Sequence, residues 1–100
     1  MAIKTIFLDR DGVINKEVGY LHRIEDFIFI DGVFEACLSF KLLDYQIIII
    51  SNQSGIARGY FTSFDYKKLT KWMLYKFSKQ NISILDTFFC PHGPKSKCSC

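Results

Sequence analysis

Ile47-Ile48-Ile49-Ile50, closed by Ser51-Asn52-Gln53, decides how the rest of this 100-residue chain is read. Four β-branched residues in a row fit a strand buried on both faces, as in a parallel sheet, and the polar triplet marks its end. Two further runs lie outward from it. Ile6-Phe7-Leu8 leads into Asp9-Arg10-Asp11-Gly12, and the mixed run Ile82 to Phe89 ends as a strand in Asp86-Thr87-Phe88-Phe89. Between the first two strands, Val33, Ala36, Cys37, Phe40 and Leu43 recur at helical spacing behind the start signal Asp31-Gly32. The second helix is marked more fully. Thr62 reads as its N-cap, Asp65 as the return partner of a capping box, and Phe61 and Tyr66 as a hydrophobic staple. Tyr66, Leu69, Met73 and Phe77 form its apolar face, with Trp72 beside it; it ends near Ser78-Lys79 before a turn at Asn81.

Strand, long loop, helix, strand, loop, helix, strand is the order of an α/β fold, a Rossmann-like, mostly parallel sheet flanked by helices on right-handed crossovers. Composition agrees. Hydrophobic residues make up 49% of the chain, with ten Phe and five Tyr, enough for a core and too many for disorder. One hundred residues fit a single domain. The net charge of +3 is spread without a block of like charges, so nucleic acid and membrane surfaces find no electrostatic footprint. The apolar stretch before Asp9 is too short for a signal peptide, and no run reaches the ~18 apolar residues of a membrane span. A cytoplasmic location is expected.

In sheets of this kind ligands bind at the carboxyl ends of the strands. Asp9-Arg10-Asp11-Gly12 follows the first strand and Ser51-Asn52-Gln53 the second. Two carboxylates two residues apart at a buried strand end repel each other and lose hydration, and a divalent cation relieves both effects. Hard oxygen ligands select Mg²⁺. On its own, Asp-x-Asp-Gly also describes an Asx-turn with solvated carboxylates. The second strand end adds a Ser51 hydroxyl, backbone N–H groups able to form an anion-binding nest, and the small loop Gln53-Ser54-Gly55. Together the two ends supply a nucleophile, metal ligands and phosphate donors in one crevice.

The stretch Ile6 to Asn15 resembles the first motif of the haloacid dehalogenase superfamily of phosphatases, and Ile47 to Ser51 resembles the second. Gly19-Tyr20-Leu21-His22, Phe29 to Val33 and Asn52 to Gly59 are similar to a branch acting on a heptose bisphosphate. The resemblance runs over essentially the whole chain and implies a capless domain, of which residues 1–100 are the amino-terminal part. It implies that Asp9 attacks phosphorus to give a phosphoaspartyl intermediate, while Asp11 protonates the leaving oxygen and then activates water. Mg²⁺ would contact an Asp9 carboxylate oxygen and the Asp11 backbone carbonyl. Ser51 and Asn52 would hold phosphate oxygens, and Glu17, Val18, Gly19, Tyr20, Gln53 and Ser54 lie where the branch contacts the sugar. Glu17 also reads as a solvated loop charge and Tyr20 as a core residue. A phosphosugar substrate, a monomer and a role in lipopolysaccharide precursor synthesis follow from the same resemblance. Histidinol-phosphate phosphatases share both motifs and are the nearest alternative; a non-catalytic zinc-stapled module is an alternative of another class. Beyond Cys100 the resemblance implies a lysine beside the phosphate and a further carboxylate for Mg²⁺, so the 100 residues alone are expected to be weakly active or inactive.

Cys90-Pro91-His92 is followed by Cys98-Ser99-Cys100, a C-x-H-x5-C-x-C pattern. Three thiolates and an imidazole at Cys90, His92, Cys98 and Cys100 make a closed tetrahedral set for structural Zn²⁺ in a loop. Free or disulfide-bonded thiols are the rival account. Cys37 falls on the buried face of the first helix and reads as an inert core thiol. His22, alone in a loop, reads as a surface or hydrogen-bonding residue.

Overall fold

A computed structural model describes residues 3–92. Its elements are β1 (Lys4–Asp9), α1 (Val33–Leu42), β2 (Tyr45–Asn52), α2 (Ser54–Ala57), α3 (Ser63–Lys79) and β3 (Asp86–Cys90), with a 3-10 turn at Ile24–Asp26 between β1 and α1. The three strands form one parallel sheet in the order β1-β2-β3. Every strand and both long helices expected from the sequence are present, within a few residues of their expected ends. The short helix α2, directly after the polar triplet, is the addition. Ser54-Gly55-Ile56-Ala57 is one turn long and has too few positions to show a period.

The tetra-isoleucine run divides between the faces of the sheet. Ile47 and Ile49 are 2% and 1% exposed, whereas Ile50 is 38% exposed. The expectation of burial on both faces is therefore corrected. Strand order explains why: two right-handed crossovers that step in the same direction put both helices on the same side. The core bears this out. Val33 and Cys37 of α1 join Leu69, Met73 and Phe77 of α3 in one buried cluster with Ile47 and Ile49, and Ile6 and Leu8 pack against it. The Phe34 and Phe77 rings meet edge-on at 5.4 Å and tie the two helices together. On the opposite face, β1 pairs Phe7 with Ile48 and Asp9 with Ile50, and β2 pairs Ile50 with Phe88. Phe7 and Phe88 are 60% and 54% exposed. Asp9 is exposed on that same side, because side chains alternate along a strand.

Local signals fix the helix ends. Gly32 begins α1 at φ 89°, a left-handed conformation that costs glycine nothing. At α3 the capping box forms in full: Thr62 Oγ1 accepts from the Asp65 N–H at 3.1 Å, and Asp65 Oδ2 accepts from the Thr62 N–H at 2.9 Å. The Thr62 N–H, with the Thr62 hydroxyl behind it, holds the Asp65 carboxyl below the ordinary carboxylate range. Both staple residues, Phe61 and Tyr66, are buried. Cys37 is fully buried and free, and burial raises its thiol pKa. No helix among the described residues is long and apolar enough to cross a membrane.

Thr62→Ala removes one half of the capping box without touching the core. It is expected to lower the unfolding free energy by about 1 kcal/mol with an unchanged denaturant slope, measured by urea titration.

Candidate active site

The turn after β1 is built around one carbonyl. Arg10 O accepts from the N–H groups of Val13, Ile14 and Asn15 at 3.3, 2.8 and 3.2 Å, and the Gly12 N–H returns to Asn15 O at 2.8 Å. Gly12 sits at φ 84°, where a side chain would be strained. This fold of the backbone brings Asp11 back over the end of the sheet. Its carboxylate takes donors on both oxygens. Arg10 gives Nε and Nη2 to Oδ1 at 3.2 and 2.9 Å and Nη2 to Oδ2 at 3.2 Å. Asn15 Nδ2 reaches Oδ1 at 3.1 Å and Gln53 Nε2 reaches Oδ2 at 3.1 Å.

Asp11 forms one wall of a crevice of about 370 Å³ whose lining also includes Glu17, Gly19, Tyr20, Asn52, Gln53, Ser54 and Gly55. That volume falls in the range of small-molecule sites, at its lower end. The crevice thus gathers seven of the residues singled out in the sequence: Asp11, Glu17, Gly19, Tyr20, Asn52, Gln53 and Ser54. Asp9, Ser51 and Val18 are not part of its wall. The pleat directs Asp9 to the open face, Val18 is exposed on the loop, and the Ser51 hydroxyl is buried as the acceptor of a hydrogen bond from Gln53 Nε2. The anticipated anion nest after Ser51 is also reduced, because the Gln53 N–H donates to Cys90 O at 2.8 Å.

Sequence reasoning passed over Arg10, Asn15 and Tyr60, and gave Gly55 only as part of a small loop. Tyr20 is held at φ 54°, a rare conformation for a bulky residue and one that concentrates at functional sites. Its ring meets Tyr60 edge-on at 4.7 Å, and its carbonyl is 2.8 Å from His22 Nδ1. The His22 ring also stacks on Phe61 at 5.1 Å, in addition to the hydrogen-bonding role expected of it. Gly55 leaves no room for a side chain: a Cβ there would run into the Phe61 ring and come within 2.9 Å of Tyr20.

The donor set for Mg²⁺ is partly in place. Asp9 offers an exposed carboxylate, and the Asp11 carbonyl accepts no hydrogen bond among the described residues. That carbonyl is the atom which the resemblance implies for Mg²⁺. No group of three or more His, Cys, Asp or Glu among the described residues could hold a metal unaided. Of the four zinc ligands read from the sequence, Cys98 and Cys100 lie outside the described residues. Cys90 Sγ stands 3.8 Å from His92 Nδ1, near the ~3.6 Å that two ligands of a tetrahedral zinc would span.

No family model matches the chain. Individual relatives do. The chain is 49% identical over 98 residues to the D-glycero-alpha-D-manno-heptose-1,7-bisphosphate 7-phosphatase of Campylobacter jejuni, covering 98% of itself and 57% of that protein. It is 44% identical over 94 residues to the D-glycero-beta-D-manno-heptose-1,7-bisphosphate 7-phosphatase of Haemophilus influenzae, covering 94% of itself and 51% of that protein. This chain is a homologue of the heptose bisphosphate phosphatases. It spans about half the length of these curated relatives. Its fold agrees: the D,D-heptose 1.7-bisphosphate phosphatase of B. bronchiseptica, solved with magnesium and phosphate, superimposes at a TM-score of 0.88 with 31% identity. That match covers 97% of this chain and 55% of the other. The haloacid dehalogenase-like fold and the heptose bisphosphate resemblance read from the sequence are both met.

Gly55→Ala tests the packing behind the crevice. The added methyl is expected to displace Phe61 and Tyr20 at a cost of about 1–3 kcal/mol, seen as a lowered Tm, with Tyr20 leaving its left-handed conformation.

Proposed function

We propose that this chain forms the nucleophile-bearing part of a magnesium-dependent phosphatase that removes the 7-phosphate of D-glycero-D-manno-heptose 1,7-bisphosphate. The carrying observation is Asp11 on the wall of a sugar-sized crevice, two residues after the exposed Asp9 carboxylate that ends β1, in a chain 49% identical to a phosphatase named for that substrate. The reaction would serve ADP-heptose and lipopolysaccharide core synthesis. Both anomers appear in the names of the relatives, so similarity leaves the anomer to measurement.

In this reading an Asp9 carboxylate oxygen attacks phosphorus, and the bond from phosphorus to the sugar oxygen breaks. Asp11 gives that oxygen a proton. Water then attacks the phosphoaspartate, Asp11 takes its proton, and the Asp9–phosphorus bond is released. Ser51 and Asn52 hold phosphate oxygens. Glu17, Val18, Gly19, Tyr20, Gln53 and Ser54 line or border the sugar site. Mg²⁺, when held by the Asp9 carboxylate and the Asp11 carbonyl, supplies positive charge for the transferring phosphoryl group.

A structural Zn²⁺ at Cys90, His92, Cys98 and Cys100 completes the proposal, supported by the ligand spacing and the Cys90–His92 distance. Its role is to order the loop, since a closed four-ligand set leaves no position for substrate.

Asp9→Asn in the complete gene product should lower kcat by at least about 10³-fold while leaving Tm unchanged, because an amide cannot attack phosphorus. Turnover of heptose bisphosphate should exceed that of histidinol phosphate; the reverse preference overturns the substrate assignment. Protein purified without chelator should carry about one zinc per chain, and Cys98→Ser should lose it together with several degrees of Tm. Metal-free protein in which Cys90 is stably oxidised would sink the zinc assignment.

A further inference from the structure

We propose that Arg10 is a positioning residue for Asp11, clamping the acid/base carboxylate from beneath with Asn15 and Gln53 as side supports. The proposal rests on the reading of Asp11 given above. Arg10 is 1% exposed, among the most enclosed side chains of the described residues. A guanidinium is seldom buried unless something fixes it there. Here its partner is the next residue in the chain. Neighbours along an extended strand point to opposite faces, and only the turn on the Arg10 carbonyl lets the two side chains meet. The fork then touches both Asp11 oxygens, a two-point grip that fixes the plane of the carboxylate as well as its position.

Two contacts hold the fork in turn, and two further side chains hold Asp11. Nη2 also donates to Leu21 O at 3.3 Å, at the back of the crevice loop. The Tyr66 ring of α3 lies 5.7 Å from the Arg10 Cζ, and burial raises the Tyr66 pKa. Asn15, fully buried, ties Asp11 to Lys16 O, while Gln53 ties it to the Ser51 hydroxyl at the end of β2. Asp11 is thereby referred to both strands and to α3. A plain charge-neutralising arginine would need only one contact and would not engage three elements.

A positioned acid/base group matters unequally in the two half-reactions. Transfer from p-nitrophenyl phosphate to Asp9 needs little help, because nitrophenolate leaves without a proton. Hydrolysis of the phosphoaspartate needs Asp11 held against the attacking water. Lysine keeps the charge of Arg10 but not the planar fork. Arg10→Lys in the complete gene product, with p-nitrophenyl phosphate, is therefore expected to give a burst of about one equivalent of nitrophenol. Steady turnover should then run at least ~10-fold below wild type with kcat/KM within ~3-fold, so that KM falls along with kcat. Steady turnover within ~3-fold of wild type overturns the proposal. So does an equal fall of burst and steady rate in a protein with unchanged Tm. If Arg10→Lys does not fold, Gln53→Leu must show the burst, and its absence there overturns the clamp. A wild-type enzyme that forms no phosphoaspartate defeats the proposed function instead, which separates the two failures.

Discussion

Two right-handed crossovers that step the same way across a parallel sheet must leave both helices on one side. Much of this structure follows from that constraint. It sets α1 and α3 over Ile47 and Ile49, draws Phe34 and Phe77 together between the two helices, and leaves Phe7, Ile50 and Phe88 facing outward. It also divides the chemistry at the strand ends. The residues of β1 alternate, so Asp9 faces the open side while Arg10 is buried beneath Tyr66 on the helical side.

The turn after β1 resolves that division. Gly12 in its left-handed conformation and the triple use of the Arg10 carbonyl reverse the chain within four residues. Asp11 then belongs to neither face but to the mouth of the crevice, held by donors from two loops. Hydrogen bonds to a charged carboxylate from a buried guanidinium are shorter and stronger than neutral ones, and they restrict its motion accordingly. Asp9, by contrast, has no such restraint among the described residues. One carboxylate is fixed and the other is presented, the arrangement that the proposed acid/base and nucleophile roles call for.

Much of this was legible in the chain. The tetra-isoleucine run, the Thr62–Asp65 capping box and the Leu69, Met73, Phe77 stripe each carry a local rule, and each lands where the rule puts it. Burial of Ile48 and Ile50 was overread because a β-branched run shows that a strand is apolar and not how many layers cover it. The crevice residues Glu17, Gly19, Tyr20 and Ser54 came from resemblance, and the structure places them together. Arg10 was missed for a physical reason. In sequence it is one more charge between two carboxylates, and its burial depends on a turn and on a helix more than fifty residues away. The packing demand on Gly55 was missed likewise, since only the Phe61 and Tyr20 rings show that no Cβ fits. The cysteine pattern was legible as a set, and two of its members lie outside the described residues.

The open side of the sheet carries a consequence of its own. Asp9 sits there among Phe7, Ile50 and Phe88, a carboxylate bordered by exposed apolar side chains. Exposed, that patch is a liability for association, and the carboxylate is wrapped in water. Whatever protein surface settles on the patch gains its hydrophobic free energy from the three apolar residues. In the same movement it strips solvent from the Asp9 carboxylate. Covering this face therefore sets the burial of apolar surface against the desolvation of a charge, two effects of opposite sign at one place.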